Sequence, residues 1–138
     1  MSALVTGIIE TALHVEDVPR SMVFYDRLFG FPKMVFDARF CAYDVAGRSV
    51  FLLFKKGATL QPIEVPGATG VIPPHDGSGH MHMAFSVLSA EGWDARLAEC
   101  GVEVESTVKW GTGGTSIYFR DPDGHLIELA TPGLWPIY

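Results

Sequence analysis

The strongest constraint on the fold is an internal repeat. ETALHV at residues 10–15 and HMAFSV at residues 82–87 each open a run of strand, helix and three further strands. When Val15 is laid over Val87, Gly30, which stops the first helical stretch, falls within one residue of Gly101, which stops the second. The chain therefore reads as a duplicated β-α-β-β-β unit. Neither copy is large enough to bury a sheet alone, so the two should pack side by side. The expected organisation is one α+β domain over residues 1–138. The first module spans about 5–56, a connecting loop about 57–78 and the second module about 79–131, followed by a tail over 132–138.

Local signals fill in each copy. Asp17 predicts the cap of a helix running through SMVFYDRLF, with Met22, Phe24, Tyr25, Leu28 and Phe29 at helical spacing. Strands are expected at FPKMVF, FCAYDV and SVFLLF, the last two joined across a tight AGR turn. Residues 56–79 are rich in Pro and Gly and predict a long connection without regular structure. Its apolar Ile63, Val65, Val71 and Ile72 suit a lid, a dimer arm or a plain surface loop. In the second copy HMHMAFSV reads as a strand, Ser89 as the cap of a helix through WDARLAEC, and VEVESTV, TSIYF and HLIELA as strands. DPDG is a hairpin turn, with Pro122 fixing φ and Gly124 accepting a positive one. The GTGG run after Trp110 leads into a strand, which is the wrong context for a phosphate-binding loop.

Composition narrows the partners. Ten basic against 16 acidic residues give a net charge of −6, which argues against nucleic acid or an anionic membrane and for a small molecule. No apolar run approaches the ~20 residues of a membrane span, and the N-terminus lacks the secretory pattern, so a cytoplasmic protein is expected. Cys41 and Cys100 form no CxxC pair and read as reduced core thiols.

The chemistry lies in residues that look out of place. Strand alternation puts Glu10 on one face with Ala12 and His14, opposite Ile9, Thr11, Leu13 and Val15. Under the internal superposition Glu10 falls on His82, which shares a face with His80, Ala84 and Ser86. In the last strand Glu128 stands with Leu126 and Ala130, opposite Ile127 and Leu129. A carboxylate buried in such company costs several kcal/mol, on the order of 3–5 or more, unless it is paired or metal-bound. A divalent cation would serve both Glu10 and Glu128; without one, Glu10 needs His14 or an arginine.

VEDVPRSMVFYDRLFGF after the first strand, HMAFSV, and SIYFRDPDGHLIEL near the end together resemble the vicinal oxygen chelate superfamily. That superfamily includes glyoxalase I, fosfomycin-resistance thiol transferases, extradiol dioxygenases and bleomycin-resistance proteins. The resemblance covers nearly the whole chain. It implies two paired β-α-β-β-β modules whose sheets cup a central metal site, and a homodimer. Carried over residue by residue, it implies metal ligands at Glu10, His82 and Glu128, with His80 the substitute if the register is off by two. The family's fourth ligand position is expected at Phe51, or at Leu53, neither of which can ligate. Three protein ligands would leave positions open for a substrate chelating through adjacent oxygens. Two carboxylates and one imidazole favour Mn, Fe, Mg or Zn, with Zn or Ni also able to bind.

Tyr118 matches a position where family members carry a tyrosine near the metal, and His14 is a candidate general base or substrate-oxygen ligand. Lys109, Trp110 and Arg120 are candidates for the pocket rim, whereas His75 and His125 read as loop and turn residues. The implied activity is that of a lyase, isomerase, transferase or dioxygenase. The alternative is a metal-free protein of the bleomycin-resistance type, sequestering a cationic ligand in an acidic cleft.

Overall fold

The computed structural model describes residues 3–138 and divides into two compact units, the first ending at Ser78 and the second running Gly79–Tyr138. The first contains β1 (Glu10–Val15), α1 (Val18–Phe29), β2 (Lys33–Phe36), β3 (Phe40–Val45) and β4 (Ser49–Lys55). Its connecting segment carries a small hairpin, β5 (Ile63–Glu64) with β6 (Val71–Ile72). The second contains β7 (His82–Ser86), α2 (Trp93–Glu99), β8 (Val104–Lys109), β9 (Thr115–Arg120) and β10 (Leu126–Ala130).

The two sheets share one topology. Their strand orders are β1-β4-β3-β2 and β7-β10-β9-β8, and in each the first strand runs parallel to the last while the remaining pairs are antiparallel. The registers match too. Glu10 lies opposite Val50 and His82 opposite Leu126; Ala12 lies opposite Leu52 and Ala84 opposite Glu128. The duplication read from the sequence is thus repeated in the pairing of individual residues, and it makes Leu52 the counterpart of Glu128.

In the first unit, Asp17 adopts extended backbone and its carboxylate accepts from the Arg20 N–H at 2.9 Å, starting α1. Gly30 ends the helix in the left-handed region at φ 67°, which costs a glycine little. Val18, Ser21, Tyr25 and Leu28 form the buried stripe. That stripe faces the odd-numbered residues of the sheet: Leu13 and Val15, Cys41 and Tyr43, Phe51 and Leu53, all 1% exposed or less. Tyr25 meets Phe51 edge-on at 4.9 Å, and Tyr43 stacks on Phe51 at 5.8 Å.

In the second unit Leu97 of α2 is fully buried, and Phe85, Ile117, Phe119, Ile127 and Leu129 are buried as well. The start of α2 differs from the sequence expectation. Gly92, at φ 83°, occupies the cap position, and the Ser89 hydroxyl instead accepts from the Glu91 N–H at 3.1 Å. A serine-stabilised turn ahead of the helix has taken the hydrogen bond that a cap would make. The helix closes as expected around Gly101, whose N–H donates to the Ala98 carbonyl while Val102 N–H reaches Leu97, a Schellman pair. GTGG is the β8–β9 turn, closed by Trp110 N–H to the Gly114 carbonyl at 2.8 Å. Among the described residues no helix is long and apolar enough to cross a membrane.

Candidate functional site

The second unit places β10 between β7 and β9, so the open face of its central strand is flanked on both sides. Glu128 lies directly opposite Tyr118 on β9 and Ala84 on β7. His82 and Ser116 are its diagonal neighbours, because they pair with Leu126 and Ala130, two residues to either side. Glu128 is 6% exposed on a face that strand alternation keeps opposite Ile127 and Leu129.

Each polar atom of this cluster has an assigned direction. His82 Nδ1 lies 3.0 Å from the Leu126 carbonyl, which can only accept, so Nδ1 carries the proton there. In the neutral ring this leaves the Nε2 lone pair pointing at Glu128 Oε1, 3.2 Å away. The other carboxylate oxygen, Oε2, accepts from the Ser116 hydroxyl at 2.6 Å. Two lone pairs therefore converge, one imidazole and one carboxylate, each oriented by a hydrogen bond on its far side. One imidazole and one carboxylate are two of the donors a divalent cation takes, and each carries the supporting hydrogen bond usual for such ligands, so the residues fit part of a metal site. The Tyr118 ring stands 6.3 Å from the His82 ring, beside this pair. Among the described residues no three His, Cys, Asp or Glu side chains already group around a metal position.

Glu10 stands in the first unit, exposed, as the first residue of β1. It borders a concavity of about 480 Å³ whose walls include Ala12, Phe40, Leu52 and Phe54, with His75 at one side. His14 is 5% exposed, stacks on Phe54 at 5.6 Å, and brings its Nε2 to 3.3 Å from His75 Nδ1. The imidazole is thus paired with another imidazole. His75 in turn is fixed by Thr59 through two backbone positions, its N–H donating to the Thr59 carbonyl at 3.0 Å and its carbonyl accepting from the Thr59 hydroxyl at 2.5 Å.

Several sequence expectations change here. Phe51 and Leu53, expected at the fourth ligand position, face the α1 core, and Leu52 is the residue on Glu10's face. SVFLLF is apolar on both faces, so alternation gives no phase; the parallel register does. The side chain at that position is apolar, as Phe51 and Leu53 are. His80 precedes β7, and His82 is the histidine that meets Glu128. Arg120 pairs with Glu105, Nη2 lying 3.0 Å from Glu105 Oε2, and its Nη1 donates to the Gly124 carbonyl at 3.1 Å. The segment 56–79, expected to lack regular structure, holds the β5–β6 hairpin and delivers His75. His125 is 1% exposed and accepts the Met81 N–H on Nδ1 at 2.9 Å, so it joins the start of β7 to the DPDG turn. Ser116 carried no signal of its own in the sequence; only its place two residues before Tyr118 puts it on the same face.

Twin mixed sheets of one topology, with a histidine and a buried carboxylate converging on an open sheet face, define a glyoxalase-like α+β protein. The chain belongs to the Glyoxalase/Bleomycin resistance protein/Dioxygenase superfamily, whose family model matches residues 7–129. Metallothiol transferase FosB of Bacillus licheniformis is 30% identical over 130 residues, covering 92% of this chain and 76% of that protein. Metallothiol transferase FosB of Shouchella clausii is 26% identical over 93% of this chain and 82% of its own length. The crystal structure of lactoylglutathione lyase from Agrobacterium tumefaciens superposes with a TM-score of 0.83 at 26% identity, covering 96% of this chain and 98% of that one.

Proposed function

We propose that the protein is a divalent-metal-dependent thiol transferase acting on a small substrate that chelates the metal through adjacent oxygens. His82 and Glu128 are the protein ligands that the second unit supplies. The observation that carries this reading is the 3.2 Å approach of His82 Nε2 to Glu128 Oε1, with the far side of each group tied down. The likeness to two metallothiol transferases supports thiol transfer over the other chemistries of the superfamily. When bound, the ion supplies Lewis-acid polarisation of a substrate oxygen. The chain's own contributions are distinct. Leu126 and Ser116 hold the two donors in place, and Tyr118 offers a phenolic O–H beside them to a substrate oxygen gaining negative charge. The protein is expected to work as a homodimer in the cytoplasm.

One observation favours a second reading. An imidazolium donating to Glu128 would give the same 3.2 Å contact without a metal, as in a ligand-sequestering protein. Metal analysis separates them. The untagged protein should retain about one equivalent of Mn, Fe, Zn, Mg or Ni, added Mn(II) or Zn(II) should raise Tm, and His82→Ala should lose both effects. Thiol consumption with fosfomycin, assayed with glutathione and with cysteine, then tests the transfer itself. A wild-type protein that neither retains metal nor gains stability from it rules out the enzyme reading.

A further inference from the structure

Glu128 is held by more than one residue. Trp110 lies just beyond the end of β8, and its indole Nε1–H is 2.9 Å from the Ser116 hydroxyl oxygen. An indole N–H can only donate, so Ser116 accepts there, and its single proton is left for Glu128 Oε2 at 2.6 Å. The length falls in the range of hydroxyl-to-carboxylate bonds. Ser116 is 0% exposed, so no water competes for either bond. The direction of the chain is thereby fixed: Trp110 to Ser116 to Glu128, ending on the oxygen that faces away from His82. Trp110 itself is set by the β8–β9 turn, through its N–H to Gly114 and the Gly113 N–H to its carbonyl at 3.0 Å.

We propose that Trp110 and Ser116 are positioning residues that commit Glu128 to ligating through Oε1 alone, and that the indole senses occupancy of the site. The inference rests on the metal reading above and adds to it the two residues that set the carboxylate's orientation. A carboxylate free to rotate could turn either oxygen, or both, toward an ion. With Oε2 occupied by Ser116, Oε1 is the oxygen left facing His82. Charge drawn from Glu128 by a bound ion would weaken the Ser116 hydrogen bond to Oε2, and the polarisation would pass along the chain to the indole. Trp110 is 42% exposed, while the atoms it reports on are buried.

The experiment uses the full chain and Mn(II) as probe, with affinity read by electron paramagnetic resonance and tryptophan emission recorded during the same titration. Ser116→Ala should weaken Mn(II) binding about 10–100-fold, the usual cost of losing an outer-sphere partner. Ser116→Thr, which keeps the hydroxyl, should bind within about threefold of wild type by the same reasoning. Trp110→Phe should bind more weakly than wild type and lose the metal-dependent emission change, which assigns that change to Trp110 rather than to Trp93 or Trp135. Far-UV circular dichroism checks that each variant is folded, and Ser116→Thr and Trp110→Phe carry the test if Ser116→Ala does not fold. Wild-type binding that Ser116→Ala and Trp110→Phe both leave unchanged overturns the relay while leaving the metal reading intact. No Mn(II) or Zn(II) binding by the wild type overturns both.

Discussion

Removing one hydroxyl from the core of the first unit should produce a stability loss that vanishes in alkali. Tyr43 is 0% exposed, and its phenol donates to Asp26 Oδ1 at 2.8 Å while Lys33 pairs with the other Asp26 oxygen. Burial, and then the hydrogen bond to Asp26, push its pKa far above the usual phenol range. A hydrogen bond to a charged group contributes about 1.5–3 kcal/mol. Asp26 is only partly shielded and can recruit water once the phenol is gone, so Tyr43→Phe should cost near the lower figure, about 1.5 kcal/mol, at pH 8. A group whose folded pKa is raised stabilises fully below its unfolded pKa, about 10 for a phenol, and loses that stabilisation as pH rises above it. The wild type should therefore lose about 1.4 kcal/mol per pH unit from this residue above pH 10, and Tyr43→Phe should not. The two stability curves should converge near pH ~11. Cys41, whose pKa burial raises and the Tyr43 hydroxyl lowers, adds an earlier decline that differs between the two proteins, so both are measured in a Cys41→Ala background. Urea denaturation followed by circular dichroism from pH 8 to 11.5 measures this. Curves that stay parallel across that range would refute the assignment of a protonated, hydrogen-bonded phenol.

Two further substitutions test how the sites are supported. A Cβ on Gly77 would sit 2.5 Å from Nδ1 and 3.1 Å from Cγ of the packed His14 ring, so Gly77→Ala should cost about 1–3 kcal/mol and shift the His14 ring signals in NMR; a change in Tm within error would mean that the ring yields freely. In the second unit, Asp121 Oδ1 accepts the N–H groups of both Asp123 and His125 at 2.9 Å, so Asp121→Ala should destabilise by about 1–3 kcal/mol, with Asp121→Asn recovering most of the loss in thermal melts.

What could be read in advance followed from periodicity and punctuation. Asp17 and Gly30 bound α1 because a cap and a left-handed stop are local chemistry, legible within four residues. Glu10, His82 and Glu128 stood out because alternation assigns a face, and a carboxylate among Leu, Ile and Ala on that face is costly. Signals failed where a segment offered no contrast or where a side chain had two uses. SVFLLF is apolar throughout, so its phase was open; Ser89 could cap a helix or close a turn, and it closes the turn.

The roles that local pattern does not show are those that exist only across chain separations it does not span. Ser116 reaches Glu128 from 12 positions away, and His75 reaches His14 from 61. Serine is ordinary in a strand and histidine is ordinary in a Pro- and Gly-rich loop, so neither contradicts its neighbours in sequence. A ligand such as Glu128 is conspicuous because it opposes its surroundings, whereas a supporting residue is inconspicuous because it satisfies them. The internal repeat supplies the missing leverage. Since the two sheets share topology and register, Leu52 in the first occupies the place of Glu128 in the second, and Tyr43, the residue opposite Phe51, belongs to the face that packs α1. The copies have therefore diverged in chemistry while keeping one architecture. The second carries a histidine and a carboxylate supported from Trp110 and Ser116, and the first presents the exposed carboxylate of Glu10 at the edge of an apolar concavity.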